Sequence, residues 1–141
     1  MVEQGQATIA DVIAVAEFRS ALRHFLRRSE KIARKSGLTP QRYTLLMMIK
    51  GAPDGAEQST VTELADRMQL AQSTVTELVR RAENTGLIER EQSQRDARVA
   101  HLRLTPEGER RLMLSFTELE TERAQLREAF ASLDGGITGR N

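Results

Sequence analysis

The 141-residue sequence has no cysteine and no tryptophan, and only two histidines, three prolines and one tyrosine. Without cysteine it has no disulfide scaffold, no thiolate nucleophile, no zinc finger and no thiol-based redox sensor. His24 and His101 lie far apart and offer little for a histidine-rich metal site or a Ser-His-Asp triad. The longest apolar run, Leu45 to Ile49, falls far short of the roughly 20 residues needed to cross a bilayer. The amino end, Met-Val-Glu-Gln-Gly-Gln, lacks the basic and apolar segments of a secretory signal. A cytoplasmic protein with no membrane partner, cofactor or metal is expected. No paired carboxylates, nucleophile–base set or phosphate loop stands out, so an enzyme is not expected.

Excess charge of one sign is missing too. Lys and Arg total 21 against 20 Asp and Glu, for a formal net charge of +1. Read alone, that sum argues against a strongly charged partner, but the charge is segregated. Residues 19–35 hold Arg19, Arg23, Arg27, Arg28, Lys31, Arg34 and Lys35 against Glu30 alone, while residues 105–134 carry seven acids and four bases. Opposite charges of this kind suit partnering helices. The length fits one domain, and a hydrophobic content of 39% leaves room for a core completed by a partner.

No Pro or Gly interrupts residues 7–36, where Phe18, Leu22, Phe25 and Ile32 recur at helical spacing before Gly37. Thr39-Pro40 reads as a cap followed by proline at the first helical position, opening a short helix through Ile49. A loop at residues 51–58 follows. Thr60 with Glu63 forms a capping signature for a two-turn helix, and Gln69-Leu70-Ala71 is a tight connection. The next helix, 72–85, has the apolar face Val75, Leu78, Val79 and Ala82 and closes at Gly86. This is a helix-turn-helix unit. The period then changes from 3.6 to 2 over 87–91 and 99–104, predicting a hairpin with the polar tip Gln92-Ser-Gln-Arg-Asp-Ala-Arg98. Thr105-Pro106 starts a final helix expected to run to about Leu133, before Asp134-Gly135-Gly136. The fold class is mainly α, with a two- or three-stranded β wing.

A helix-turn-helix followed by a charged hairpin is a winged helix arrangement, whose second helix fits the major groove while the hairpin reaches the backbone or minor groove. With its apolar face inward, that helix turns Gln72, Ser73, Thr74, Thr76, Glu77, Arg80 and Arg81 outward. Gln, Ser, Thr and Arg are residue types that bond bases or phosphates. Glu77 would be repelled by phosphates unless it accepts from cytosine N4 or pairs with Arg81 at i,i+4. In the tip, Arg95 and Arg98 suit a narrow, electronegative minor groove, and Asp96 can hold Arg98 bidentately from one face of an extended arm. Plain alternatives are a solvated helix face and a weak surface ion pair.

In the final helix Leu112, Phe116, Leu119, Arg123, Leu126, Phe130 and Leu133 alternate by four and three. That 3.5-residue repeat keeps a narrow seam in register, for packing on the chain's own domain or for pairing with a second chain. A winged helix that serves as a protein-interaction module without binding DNA is the alternative function, favoured by Glu77 and by the acidic stretch 54–77.

Gly37-Leu-Thr-Pro-Gln-Arg-Tyr-Thr-Leu-Leu, Val61-Thr-Glu-Leu-Ala, Ser73-Thr-Val-Thr-Glu-Leu-Val, Glu83-Asn-Thr-Gly-Leu-Ile, Arg95-Asp-Ala-Arg and Leu104-Thr-Pro-Glu-Gly together resemble the MarR family of bacterial transcriptional regulators, over about residues 10–133. The resemblance implies a homodimer, more often a repressor than an activator, reading a pseudo-palindromic operator in double-stranded DNA. Residues 7–36 and 106–134 would form the dimerisation helices and 40–104 the winged helix lobe. Ile9, Val12 and Ile13 would join Leu112, Phe116, Leu119, Leu126, Phe130 and Leu133 at the dimer interface. Ser73, Thr74 and Thr76 would lie in the major groove, Arg98 in the minor groove with Asp96 orienting it, and Gln41 and Arg42 near phosphates. It further implies relief of DNA binding by a small aromatic anion, for which Arg23, His24, Arg27 and Tyr43 are candidates because guanidinium groups bind carboxylates bidentately. The chain departs from the pattern at Ala71, where the family often has a capping Ser, so that Ser73 or a backbone group must satisfy the helix end. It departs again at Glu77, and the family's extra C-terminal helix is expected to be short or absent.

Overall fold

The computed structural model describes residues 5–138. Its elements are α1 (Ile9–Lys35), α2 (Pro40–Lys50), α3 (Val61–Met68), α4 (Gln72–Asn84), β1 (Ile88–Gln92), β2 (Ala100–Leu104), α5 (Pro106–Glu118) and α6 (Glu120–Thr138). β1 and β2 pair antiparallel from Ile88↔Leu104 to Gln92↔Ala100, and a third strand is reduced to the single bridge Ser59↔Leu102. This is the mainly α, winged helix class that the sequence predicts. The chain divides into two units, one built from residues up to Lys31 together with those from Glu118 onward, the other from Ile32–Thr117.

Short-range chemistry sets the element ends in the second unit. Thr39 caps α2 by accepting the Arg42 N–H at 3.2 Å, and Pro40 occupies a first-turn position whose missing N–H costs nothing. Thr60 and Glu63 cap α3 reciprocally: Thr60 Oγ1 accepts the Glu63 N–H at 3.2 Å and Glu63 Oε1 accepts the Thr60 N–H at 3.1 Å. Arg67, near the end of α3, donates to the Met48 carbonyl at 2.7 Å and the Gly51 carbonyl at 3.3 Å, satisfying the open C-terminal end of α2 with a cation. Gln69, left-handed at φ 54°, turns the chain from α3 toward α4. Gly86 at φ 75° ends α4 in a conformation that a Cβ would oppose.

These helices share one core. Leu45, Leu46 and Ile49 of α2, Leu64 of α3, Val75, Val79 and Ala82 of α4, and Leu102 of β2 are all buried, and α2 packs on α3, α4 and β2. The start of α5 is docked on the α4–β1 turn. Thr105 donates its N–H to the Leu87 carbonyl at 3.0 Å and its hydroxyl to the Gly86 carbonyl at 2.6 Å, while that hydroxyl accepts the Gly108 N–H at 3.1 Å. Gly108 is needed because a Cβ there would overlap the Leu87 carbonyl oxygen. The Leu-Thr-Pro-Glu-Gly stretch is therefore a docking joint.

Five expectations are corrected here. The final helix is not continuous: the helical run is interrupted at Leu119, although the Arg123 N–H donates to the Leu119 carbonyl at 2.8 Å, and helix resumes as α6 through Thr138. Asp134-Gly135-Gly136 does not end it, since glycine inside a helix costs only about 1 kcal/mol and does not forbid the conformation. The C-terminal helix is accordingly 19 residues long rather than short or absent. Leu112 and Leu119 of the seam are buried within the protomer and so are not free to face another chain. Tyr43 is likewise 4% exposed, a core residue of the winged helix unit and not an open ligand contact.

In the other unit the rings of Phe18 and Phe130 meet edge to face, with centroids 6.0 Å apart. Arg28 Nε lies 3.4 Å from Glu122 Oε1. A row of apolar residues stays exposed: Ile9 at 74%, Val12 and Ile13 beside it, and Phe130 at 60%. No helix among the described residues is long and apolar enough to cross a membrane.

Candidate nucleic-acid interface

The α4 helix buries Val75, Leu78, Val79 and Ala82, the four residues predicted to face inward. Its opposite side exposes Gln72, Ser73, Thr74, Thr76, Arg80 and Arg81, with Glu77 partly exposed among them. Ala71 at the N-cap has no side-chain oxygen to offer, and neither Ser73 nor any other side chain caps this end. The first-turn N–H groups and the positive end of the helix dipole thus remain open to an anion, flanked by two hydroxyl side chains.

Glu77 does more than pair with Arg81. Its carboxylate accepts Arg80 through Nε at 3.0 Å and Nη2 at 2.6 Å, and Arg81 through Nε at 3.1 Å. Those bonds, that from Arg80 first, hold the Glu77 carboxyl below the usual carboxylate range. Both arginines of the face are tied to a single acid, Arg81 at the i,i+4 spacing the sequence points to and Arg80 at i,i+3, which is an equally usable signal.

In the wing, Arg98 is held by Asp96 but not by the predicted fork. Asp96 Oδ1 alone accepts both the Arg98 N–H at 3.0 Å and the Arg98 Nε at 3.2 Å. The tip is a turn rather than an extended arm: the Ser93 hydroxyl accepts the Arg95 N–H at 3.2 Å, and the Val99 N–H donates to the Asp96 carbonyl at 3.0 Å. A backbone N–H two residues on competes for the carboxylate in such a turn and rotates it away from bidentate contact. The Arg98 backbone bond, followed by its side-chain bond, lowers the Asp96 carboxyl. The side chain of Arg98 remains 91% exposed. Arg95 is exposed at the same tip.

Arg90, at the root of the wing, donates to Glu83 of α4 at 2.9 Å and so braces hairpin against helix. It lines a hollow of about 240 Å³ with Arg98, Thr60 and Thr62, a grouping that periodicity does not reveal because its members come from the start of α3 and from the wing, far apart in sequence. Gln41 and Arg42 sit in the first turn of α2, exposed and half-exposed. In the other unit His24 and Arg27 line a hollow of about 380 Å³ with Arg28 and Lys31; Arg23 is exposed but not part of it. Among the described residues no cluster of His, Asp and Glu could hold a metal ion.

Residues 36–99 match the MarR family model. The chain is 32% identical over 123 residues to an uncharacterized HTH-type transcriptional regulator, YsmB, of Bacillus subtilis, covering 84% of this chain and 79% of that protein. Among solved structures it is similar to the YusO protein of Bacillus subtilis, at 26% identity and TM-score 0.57 over 80% of this chain and 72% of that one. It is also similar to a mutant MarR from E. coli complexed with operator DNA, at 16% identity and TM-score 0.67 over 95% of this chain and 98% of that one.

Proposed function

Because this chain belongs to the MarR family of transcriptional regulators, which are not enzymes, we propose that it acts as a homodimeric repressor on a pseudo-palindromic operator. The observation that carries the reading is the pairing of an open polar face on α4 with a wing whose Arg98 is almost wholly exposed yet held in place by Asp96. In this role α4 lies in the major groove with Ser73, Thr74 and Thr76 toward the bases. Arg95 and Arg98 enter the minor groove, where a narrow, electronegative channel favours a guanidinium. Gln41 and Arg42 approach phosphates. Likeness to a MarR solved with operator DNA supports the mode. Such a role places the protein in the cytoplasm.

Replacing Arg98 with alanine tests the wing. The Arg98→Ala protein keeps its fold, since the side chain is almost wholly exposed and its bond to Asp96 lies at the surface, and loses about 1–3 kcal/mol of operator affinity in a titration at fixed salt. Unchanged affinity removes the wing from the interface. The exposed row of Ile9, Val12 and Ile13, with Phe130, supports dimerisation through α1 and α6.

Relief by a small aromatic anion is proposed at the hollow lined by His24, Arg27, Arg28 and Lys31, where cationic side chains converge within one helix. Calorimetry with benzoate- and phenol-type ligands should give saturable heat and a weakened operator complex. No heat and no change in operator affinity across such a panel contradicts it.

A further inference from the structure

We infer that Glu77 is a positioning residue that commits Arg80 to reading a guanine in the major groove, an assignment that rests on the DNA-binding reading above. An arginine can meet paired acceptors along its side, through Nε and one terminal nitrogen, or at its end, through both terminal nitrogens. Glu77 takes the side of Arg80, at 3.0 Å and 2.6 Å. The end edge is left with two parallel donors, the arrangement that guanine O6 and N7 accept together. Arg81 is different. It gives Glu77 only Nε, at 3.1 Å, so its terminal nitrogens can swivel about a single contact, which suits a phosphate.

Position on the helix agrees. Ser73, Thr76, Glu77 and Arg80 fall on one stripe of α4 by their i, i+3, i+4 and i+7 spacing, opposite the buried Val75, Leu78, Val79 and Ala82. Charge agrees as well. A helix meant only to clamp phosphates is weakened by a carboxylate on its exposed face, whereas a guanine edge is neutral, and there the carboxylate fixes the fork before binding and reduces the ordering cost. As a surface ion cluster alone, the triplet would add little to folding.

The test is selection of DNA by the full-length protein, followed by titration of matched duplexes with wild type, Glu77→Gln, Arg80→Lys and the double variant. Glu77 and Arg80 are on the surface, and far-UV circular dichroism melts check that each variant folds. Wild type is expected to prefer a G·C pair at one position per half-site by about 5- to 150-fold. Each single variant loses that preference, the double variant loses no more than either, and Glu77→Gln binds unrelated duplexes at least as tightly as wild type. Glu77→Gln that tightens binding to every duplex with the preference intact overturns the assignment, because Glu77 then only repels phosphates. Unaltered binding by Glu77→Gln overturns it too. Wild-type protein that enriches no sequence defeats the DNA-binding reading itself, and this assignment with it.

Discussion

Replacing Gly108 with alanine destabilises the winged helix unit by about 3 kcal/mol, a large share of the 5–15 kcal/mol that holds a typical domain folded. The added Cβ overlaps the Leu87 carbonyl oxygen and comes within 3.1 Å of its carbon. Leu87 has little room to retreat. Its N–H donates to the Ala82 carbonyl at 2.9 Å, its carbonyl accepts the Thr105 N–H at 3.0 Å, and its side chain is buried. Relief by moving α5 instead breaks the Thr105 joint to Gly86 and Leu87 and opens the packing against Leu104, 3.4 Å from the new carbon. Urea unfolding followed by circular dichroism reads the effect as a lower midpoint with an unchanged slope. A midpoint equal to that of wild type means that the joint yields without cost.

The second large effect concerns assembly. Leu126 of α6 lines an apolar hollow of about 410 Å³ with Phe18, Phe25, Phe130, Arg123 and Arg127. If that surface and the exposed Ile9, Val12 and Ile13 are covered by a second copy, Leu126→Glu buries a charge at the contact and yields a monomer by light scattering at micromolar concentration. Operator affinity falls with it, by about 10²-fold or more, because two linked half-site contacts become one. A dimeric mass for a folded Leu126→Glu protein places the interface elsewhere.

Features decided by a few neighbouring residues were legible in the sequence. The Thr39-Pro40 start, the Thr60–Glu63 box and the Gly86 stop are each set within four residues, and the structure has all three. The inward face of α4 followed from period alone. Periodicity could not say what an apolar stripe packs against. Leu112, Leu119 and Tyr43 look like interface or ligand residues by spacing and type, yet they fill the protomer's own interior. Nor did any proline or glycine mark the interruption at Leu119, which a pattern of alternating fours and threes runs straight across. At the candidate site, residue types were legible and bonding was not. Asp96 holds Arg98 through one oxygen because the tip turns, and Glu77 gathers two arginines where one had been expected. The near-neutral total charge conveyed least, since it averages an arginine-rich α1 with an acidic C-terminal stretch.

The central claim is sequence-specific binding of DNA by a dimer, and selection of genomic fragments by the wild-type protein at near-physiological salt tests it most directly. The account predicts an enriched site of two inverted halves with centres about 10–10.5 base pairs apart, one turn of the duplex, as two symmetry-related α4 helices require. Recovery of fragments with no shared sequence, or no retention above a competitor DNA, contradicts it.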